Sequence, residues 1–138
     1  MTDRYLLDTS ALQRRAKPQA RVLLDELSER GVLALCGPVE MEVMYSARNV
    51  GEALRMREWL RGFDHLPMPD EVWDRAIEVQ HFAIAKGLHR ALSLPDLLIA
   101  ATAERHGVTV LHYDGDYDMI AAITDQPMRW IAPPGTAD

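Results

Sequence analysis

The chain has 138 residues, a length that suits one domain and buries roughly two thirds of the unfolded surface without covalent or metal staples. It is 48% hydrophobic and 26% charged, as a globular protein should be, and its one cysteine, Cys36, excludes an internal disulfide and a thiolate cage for zinc. Net charge is −6, from 21 acidic against 15 basic residues, a poor overall footprint for a nucleic-acid binder.

In chain order, the opening MTDRYLLDTSAL lacks a basic leader with a long apolar core, so no export signal is expected there. Arg4 to Asp8 reads as a short buried strand, with Tyr5, Leu6 and Leu7 in a run. Gln19 to Arg30 reads as an amphipathic helix stopped by Gly31, and Val32 to Cys36 as a second buried strand. Gly37-Pro38 turns the chain into a helix carrying Val39, Val43 and Ala47, and Glu52 to Arg61 continues helical. Asp70 is the expected N-cap of a long helix from Glu71 to about Lys86, with Val72, Ala76, Val79 and Ala83 on one face and Gly87 after its end. Ser93 to His106 is the next helix, with Pro95 in its first turn and Gly107 past its end. Val108 to His112 is a β-branched strand, a short helix is expected near Met119 to Ile123, and Met128 to Ile131 is a last strand. Residues 133–138, rich in proline and glycine, read as a flexible tail after one domain over 1–132. No stretch approaches the roughly 20 apolar residues of a membrane helix, so no membrane partner is expected and the cytoplasm is the default location.

Strands alternating with helices imply a mostly parallel sheet with helices on both faces, and in such sheets the site lies beyond the carboxyl ends of the strands. Asp8 follows the first strand directly, and Asp114 and Asp116 follow Val108–His112, which puts them at the same sheet edge. Taken singly, each could be only a turn former or a helix cap. Asp96 lies in the first turn of its helix, where a carboxylate suits the dipole. It also shares a face with Ile99, Ala100 and Ala103, so it is expected to point at the sheet, where an unpaired charge is expensive. Helical phase alone does not choose between Glu40 and Glu42 as a further inward acid. Carboxylates gathered on one edge repel one another, and protonation or hard divalent cations relieve that. Mg²⁺ or Mn²⁺ held this way keeps waters able to attack a phosphodiester, with no need of a histidine base.

These segments, LLDTSAL at 6–12, PVEMEV at 38–43, LPDLLIAATA at 94–103 and VLHYDGDYD at 110–118, resemble the PIN-domain ribonucleases, specifically the VapC toxins of bacterial toxin–antitoxin pairs. The resemblance spans nearly the whole chain; its second segment is the weak one. It implies a three-layer α/β/α fold and a metal site of Asp8, Glu42, Asp96 and Asp114, with Asp116 adjoining, and it selects Glu42 over Glu40. Thr9 and Ser10 match small hydroxyl residues of the pattern, and Tyr117 stands where the family more often has phenylalanine. The implied activity is endonucleolytic cleavage of RNA, often a tRNA or an rRNA loop. The implied partners are a VapB-type antitoxin and a second copy in a homodimer.

Local arginine clusters, Arg14 and Arg15 with Lys17, then Arg48, Arg55, Arg57 and Arg61, could touch phosphates or merely solvate helix faces. His65, His81, His89, His106 and His112 show no zinc spacing, and His112 reads as structural. Trp59, Trp73, Phe63 and Phe82 read as core or dimer contacts, not base-stacking platforms. Three other readings stand beside this one: an inert PIN-like chain that only binds another protein, against which the complete acid set speaks, and two that belong to the same sheet edge. A receiver-type phosphoacceptor module would want a paired acid near the first strand and a lysine beyond a late one, yet Lys17 and Lys86 are the only lysines. An aspartyl-nucleophile phosphatase would want an aspartate where Ser10 stands.

Overall fold

The computed structural model describes residues 3–138; Met1 and Thr2, the start of the segment read as carrying no leader, lie outside the described residues. The chain opens with strand β1 (Tyr5–Leu7), a single helical turn α1 (Thr9–Leu12) and helix α2 (Pro18–Glu29). Strand β2 (Leu33–Leu35), helices α3 (Gly37–Tyr45) and α4 (Val50–Leu60) and the two-residue strand β3 (Asp64–His65) follow. Then come α5 (Asp70–Ala85), α6 (Leu94–His106), β4 (Thr109–His112), α7 (Asp116–Thr124) and β5 (Met128–Trp130).

The strands form one sheet in the order β3-β2-β1-β4-β5, and every neighbouring pair is parallel. Each residue of β1 and β2 is buried, as are Val110, Leu111 and His112 of β4. Strands buried on both faces need a helical layer on each side, which makes the domain a three-layer α/β/α sandwich. From β1 the chain first builds outward through β2 and β3, then returns across β1 to add β4 and β5 on the other side. The strand order therefore reverses between β1 and β4, and the crevice beyond their carboxyl ends is where such sheets hold ligands.

Several boundaries differ from the sequence reading. β3 was not anticipated, because Asp64 and His65 are both exposed and carry no apolar pattern. The N-cap of α5 is Pro69 and not Asp70; Asp70 is the first helical residue and offers no capping side-chain hydrogen bond. The last helix begins at Asp116, three residues earlier than its apolar stretch suggests. Trp73 and Phe82 are each 51% exposed, so neither is a core residue. The terminal segment 133–138, read as flexible, bears on Tyr113: Ala137 N donates to the Tyr113 hydroxyl at 2.9 Å, and that hydroxyl donates to Asp138 Oδ1 at 2.8 Å.

Candidate active site at the sheet switch point

Asp8 leaves β1 at its carboxyl end while its backbone N–H still donates to Leu111 O of β4 at 2.9 Å. Its side chain is buried and turns back to cap α1: Oδ2 accepts from Ser10 N at 3.0 Å and from Ser10 Oγ at 2.5 Å. The Ser10 hydroxyl in turn accepts from Tyr113 N at 2.9 Å. One small side chain thus ties the loop after β1 to the loop after β4.

Asp96 is brought to the same place by α6. Ser93 is the N-cap, its hydroxyl accepting from Asp96 N at 3.2 Å, and Pro95 sits in the first turn. The face predicted to pack inward does so: Ile99, Ala100 and Ala103 are buried, and Asp96 with them. Burial, followed by the nearby charges of Asp8 and Asp114, raises the Asp96 carboxyl to about 7. Desolvation and like charge both penalise ionisation, and this is the first point where the protein resists its own acid cluster.

Asp114 sits one residue beyond Tyr113. Its N–H donates to His112 Nδ1 at 3.1 Å, and its Oδ1 accepts from Asp116 N at 2.9 Å, which starts α7. Asp96, Asp114 and Asp116 each offer a carboxylate oxygen, and these oxygens all lie within 4.8 Å of one another. Partial burial and then Asp114 raise the Asp116 carboxyl as well. Asp8 joins this trio through a residue the sequence reading treated only as an aromatic in a motif. The Tyr117 hydroxyl lies 2.7 Å from Asp8 Oδ1 and 3.2 Å from Asp96 Oδ1.

Glu42 stands further out. It is exposed on α3, and its Oε1 accepts from Thr9 Oγ1 at 3.0 Å. Desolvation, with a smaller push from Asp8, raises its carboxyl. Glu40 turns the other way, toward His65 on β3, with Nε2 and Oε2 3.5 Å apart. Of the two glutamates, Glu42 is therefore the one beside the aspartates. The all-oxygen donor set, three members of which already share one small volume, fits a hard divalent cation.

His112 is fully buried between Tyr117 and Trp130, with ring centroids at 4.9 and 5.0 Å, and burial lowers its basicity. Accepting from Asp114 N fixes its proton on Nε2, so the ring braces the acidic loop as a neutral imidazole. Cys36 is buried with its thiol pushed up to about 12, chiefly by desolvation, so it is an inert packing residue.

Residues 5–123 match the family model described as the PIN domain. The chain belongs to the PIN-domain family. It is 47% identical over 138 residues to ribonuclease VapC21 of Mycobacterium tuberculosis, with 99% of this chain and 100% of the relative covered. Ribonuclease VapC51 of the same organism is 44% identical over 138 residues, and both chains are covered fully. Among solved structures, a DNA-bound VapBC complex from Salmonella typhimurium matches with a TM-score of 0.76 at 14% identity, over 95% of this chain and 100% of that one. VapBC-5 of Mycobacterium tuberculosis matches with a TM-score of 0.68 at 18% identity, over 94% and 99%. The structural matches establish the PIN-like α/β/α fold, and neither set of matches favours a phosphoacceptor module.

Ser10 and Tyr117 carry more of the site than their residue types announced. The sequence did hold one signal for Tyr117. It follows Asp116 directly, and a buried tyrosine hydroxyl needs a partner.

Proposed function

We propose that this PIN-domain chain is a divalent-metal-dependent endoribonuclease and the toxin of a VapBC-type toxin–antitoxin pair, acting in the cytoplasm. The observation that carries this reading is the meeting of four aspartates from three separate segments at the switch point of the sheet. The names of the relatives, ribonucleases VapC21 and VapC51, support RNA as the substrate.

Asp8, Asp96, Asp114 and Asp116 would hold Mg²⁺ or Mn²⁺, with Glu42 at the rim. When bound, such an ion supplies charge stabilisation at the phosphodiester and an acidified water at neutral pH. The chain's own part is to assemble the carboxylates and seat the backbone of the RNA. Among the arginines of the two clusters, Arg14 donates to Ala137 O and Ser10 O, Arg48 pairs with Glu52, and Arg61 pairs with Glu58. Lys17, Arg55 and Arg57 are exposed and form no ion pair among the described residues, which leaves them free for phosphates.

A groove of about 670 Å³ runs from Thr9 and Glu42 past Met41 and Tyr45 to Trp73 and Leu94. Its apolar floor beside an acidic end suits an antitoxin segment with an apolar face and a basic side chain. VapBC complexes among the structural neighbours support that partner. The exposed apolar side chains of α5 outside that groove, Ile77 and Phe82, support a homodimer contact.

The test is cleavage of total RNA by purified protein with Mn²⁺ and with excess EDTA. Asp8→Asn and Asp96→Asn are each expected to abolish the metal-dependent cleavage. Full activity in either variant, or in EDTA, overturns the assignment.

A further inference from the structure

Tyr117 is completely buried, in the first turn of α7. Its ring packs against His112, and His112 packs against Trp130. His112 is also the acceptor for the Asp114 N–H. The stack that seats the tyrosine therefore seats an acid of the site as well. From this fixed ring the hydroxyl reaches Asp8 Oδ1 at 2.7 Å and Asp96 Oδ1 at 3.2 Å. A phenol has one proton to donate, so a single hydrogen is shared between two carboxylates that come from distant segments of the chain, the end of β1 and the first turn of α6. Asp8 Oδ2 is taken by Ser10, which leaves the tyrosine as the only side-chain donor to Oδ1 among the described residues.

We propose that the Tyr117 hydroxyl is a positioning residue of the carboxylate site, holding Asp8 and Asp96 at a fixed spacing before any ion arrives. This role rests on the ion-binding reading above. The tyrosine has no path to the substrate, because none of its surface is exposed. It acts through Asp8 and Asp96 and is not a catalytic residue. Hydrogen bonds to ligating carboxylates orient them, and removing such partners weakens metal affinity by about 10- to 100-fold.

The deciding experiment is Tyr117→Phe, which keeps the ring against His112 and deletes the hydroxyl. Mn²⁺ binding to the full chain without RNA is measured by calorimetry, thermal melting is followed with and without Mn²⁺, and kcat and KM for RNA are determined across Mn²⁺ concentrations. The expected result is a folded variant whose Mn²⁺ dissociation constant rises about tenfold. Its kcat falls at limiting Mn²⁺ and recovers at excess, while KM for RNA is unchanged. Equal Mn²⁺ affinity in variant and parent overturns the positioning role alone, as does a variant that fails to fold or that loses only melting temperature. Absence of Mn²⁺ binding by the parent chain overturns the ion site itself, and the role with it.

Discussion

Asp96 shows at the residue scale what the cluster asks of the fold. Its carboxyl rises from 3.8 to about 7 because it is buried and faces Asp8 and Asp114. A raised carboxyl binds its proton more tightly in the folded chain than in the unfolded one. The stability it contributes is therefore full below about pH 4 and is lost as pH climbs through about 7. The difference corresponds to roughly 4 kcal/mol at most, and relaxation of the site reduces it. In metal-free buffer the melting temperature is expected to fall from pH 5 to pH 8. Asp96→Asn, which removes the ionisation, should flatten that slope, and Mn²⁺ should stabilise the parent chain far more at pH 8 than at pH 5. Parallel pH profiles for parent and variant would show that Asp96 is not the group responsible. Ser10 makes a second case. Replacing it by alanine removes two hydrogen bonds and leaves the buried Asp8 carboxylate short of a donor. Ser10→Ala is expected to destabilise by about 1–3 kcal/mol in urea unfolding and to lower metal-dependent cleavage. The positions of Asp8, Asp96 and Asp114 were legible because each follows or faces an apolar run. The jobs of Ser10 and Tyr117 were not, because a small hydroxyl residue and an aromatic in a motif do not announce which distant groups they will bond.

The elements are short, and their ends do the positioning. α6 shows this best. Ser93 caps it, Asp96 occupies its first turn, and Gly107 closes it with φ of 66°, a left-handed conformation that glycine takes without strain. The same cap that starts the helix fixes the backbone of a site carboxylate. Ser93→Ala is expected to cost about 1 kcal/mol of stability and also to weaken Mn²⁺ binding, whereas Gly107→Ala at the far end should destabilise without touching the site. Calorimetry on both variants separates these outcomes; equal loss of Mn²⁺ affinity in the two would mean that only global stability matters. Ser93, Pro95 and Gly107 announced this helix in the sequence because capping chemistry is local. β3 gave no such warning. Its two exposed residues become a strand only by pairing beside β2, with Ala34 opposite Asp64 and Leu35 opposite His65. Pairing of this kind is a tertiary event that no local pattern records.

At the scale of the whole molecule, the reversal of strand order between β1 and β4 explains why residues 8, 96, 114 and 116 meet. It was readable in outline, since apolar runs separated by helical periodicity imply a parallel sheet, but the order of the strands was not. The end of the chain closes over this same region. Ala137 is buried at 2% exposure, its N–H donates to the Tyr113 hydroxyl, and its carbonyl accepts from Arg14 Nε at 3.2 Å. The Arg14 guanidinium in turn lies 4.8 Å from the Tyr113 ring centroid. Composition suggested a loose tail because proline and glycine form no regular element, yet an irregular segment can be held by side chains elsewhere. Tyr113 lies between His112 and Asp114 and donates its backbone N–H to Ser10, so whatever steadies its hydroxyl steadies the acidic loop. Deleting residues 133–138 removes the contacts to Tyr113 and Arg14. At about 0.5–1.5 kcal/mol for each hydrogen bond lost, the truncated chain is expected to be less stable by about 2 kcal/mol. It should also exchange the Asp114 and Ser10 amides faster with deuterium. Unchanged melting and unchanged exchange would return the segment to a free end and leave the sheet and its helices as the sole support of the site.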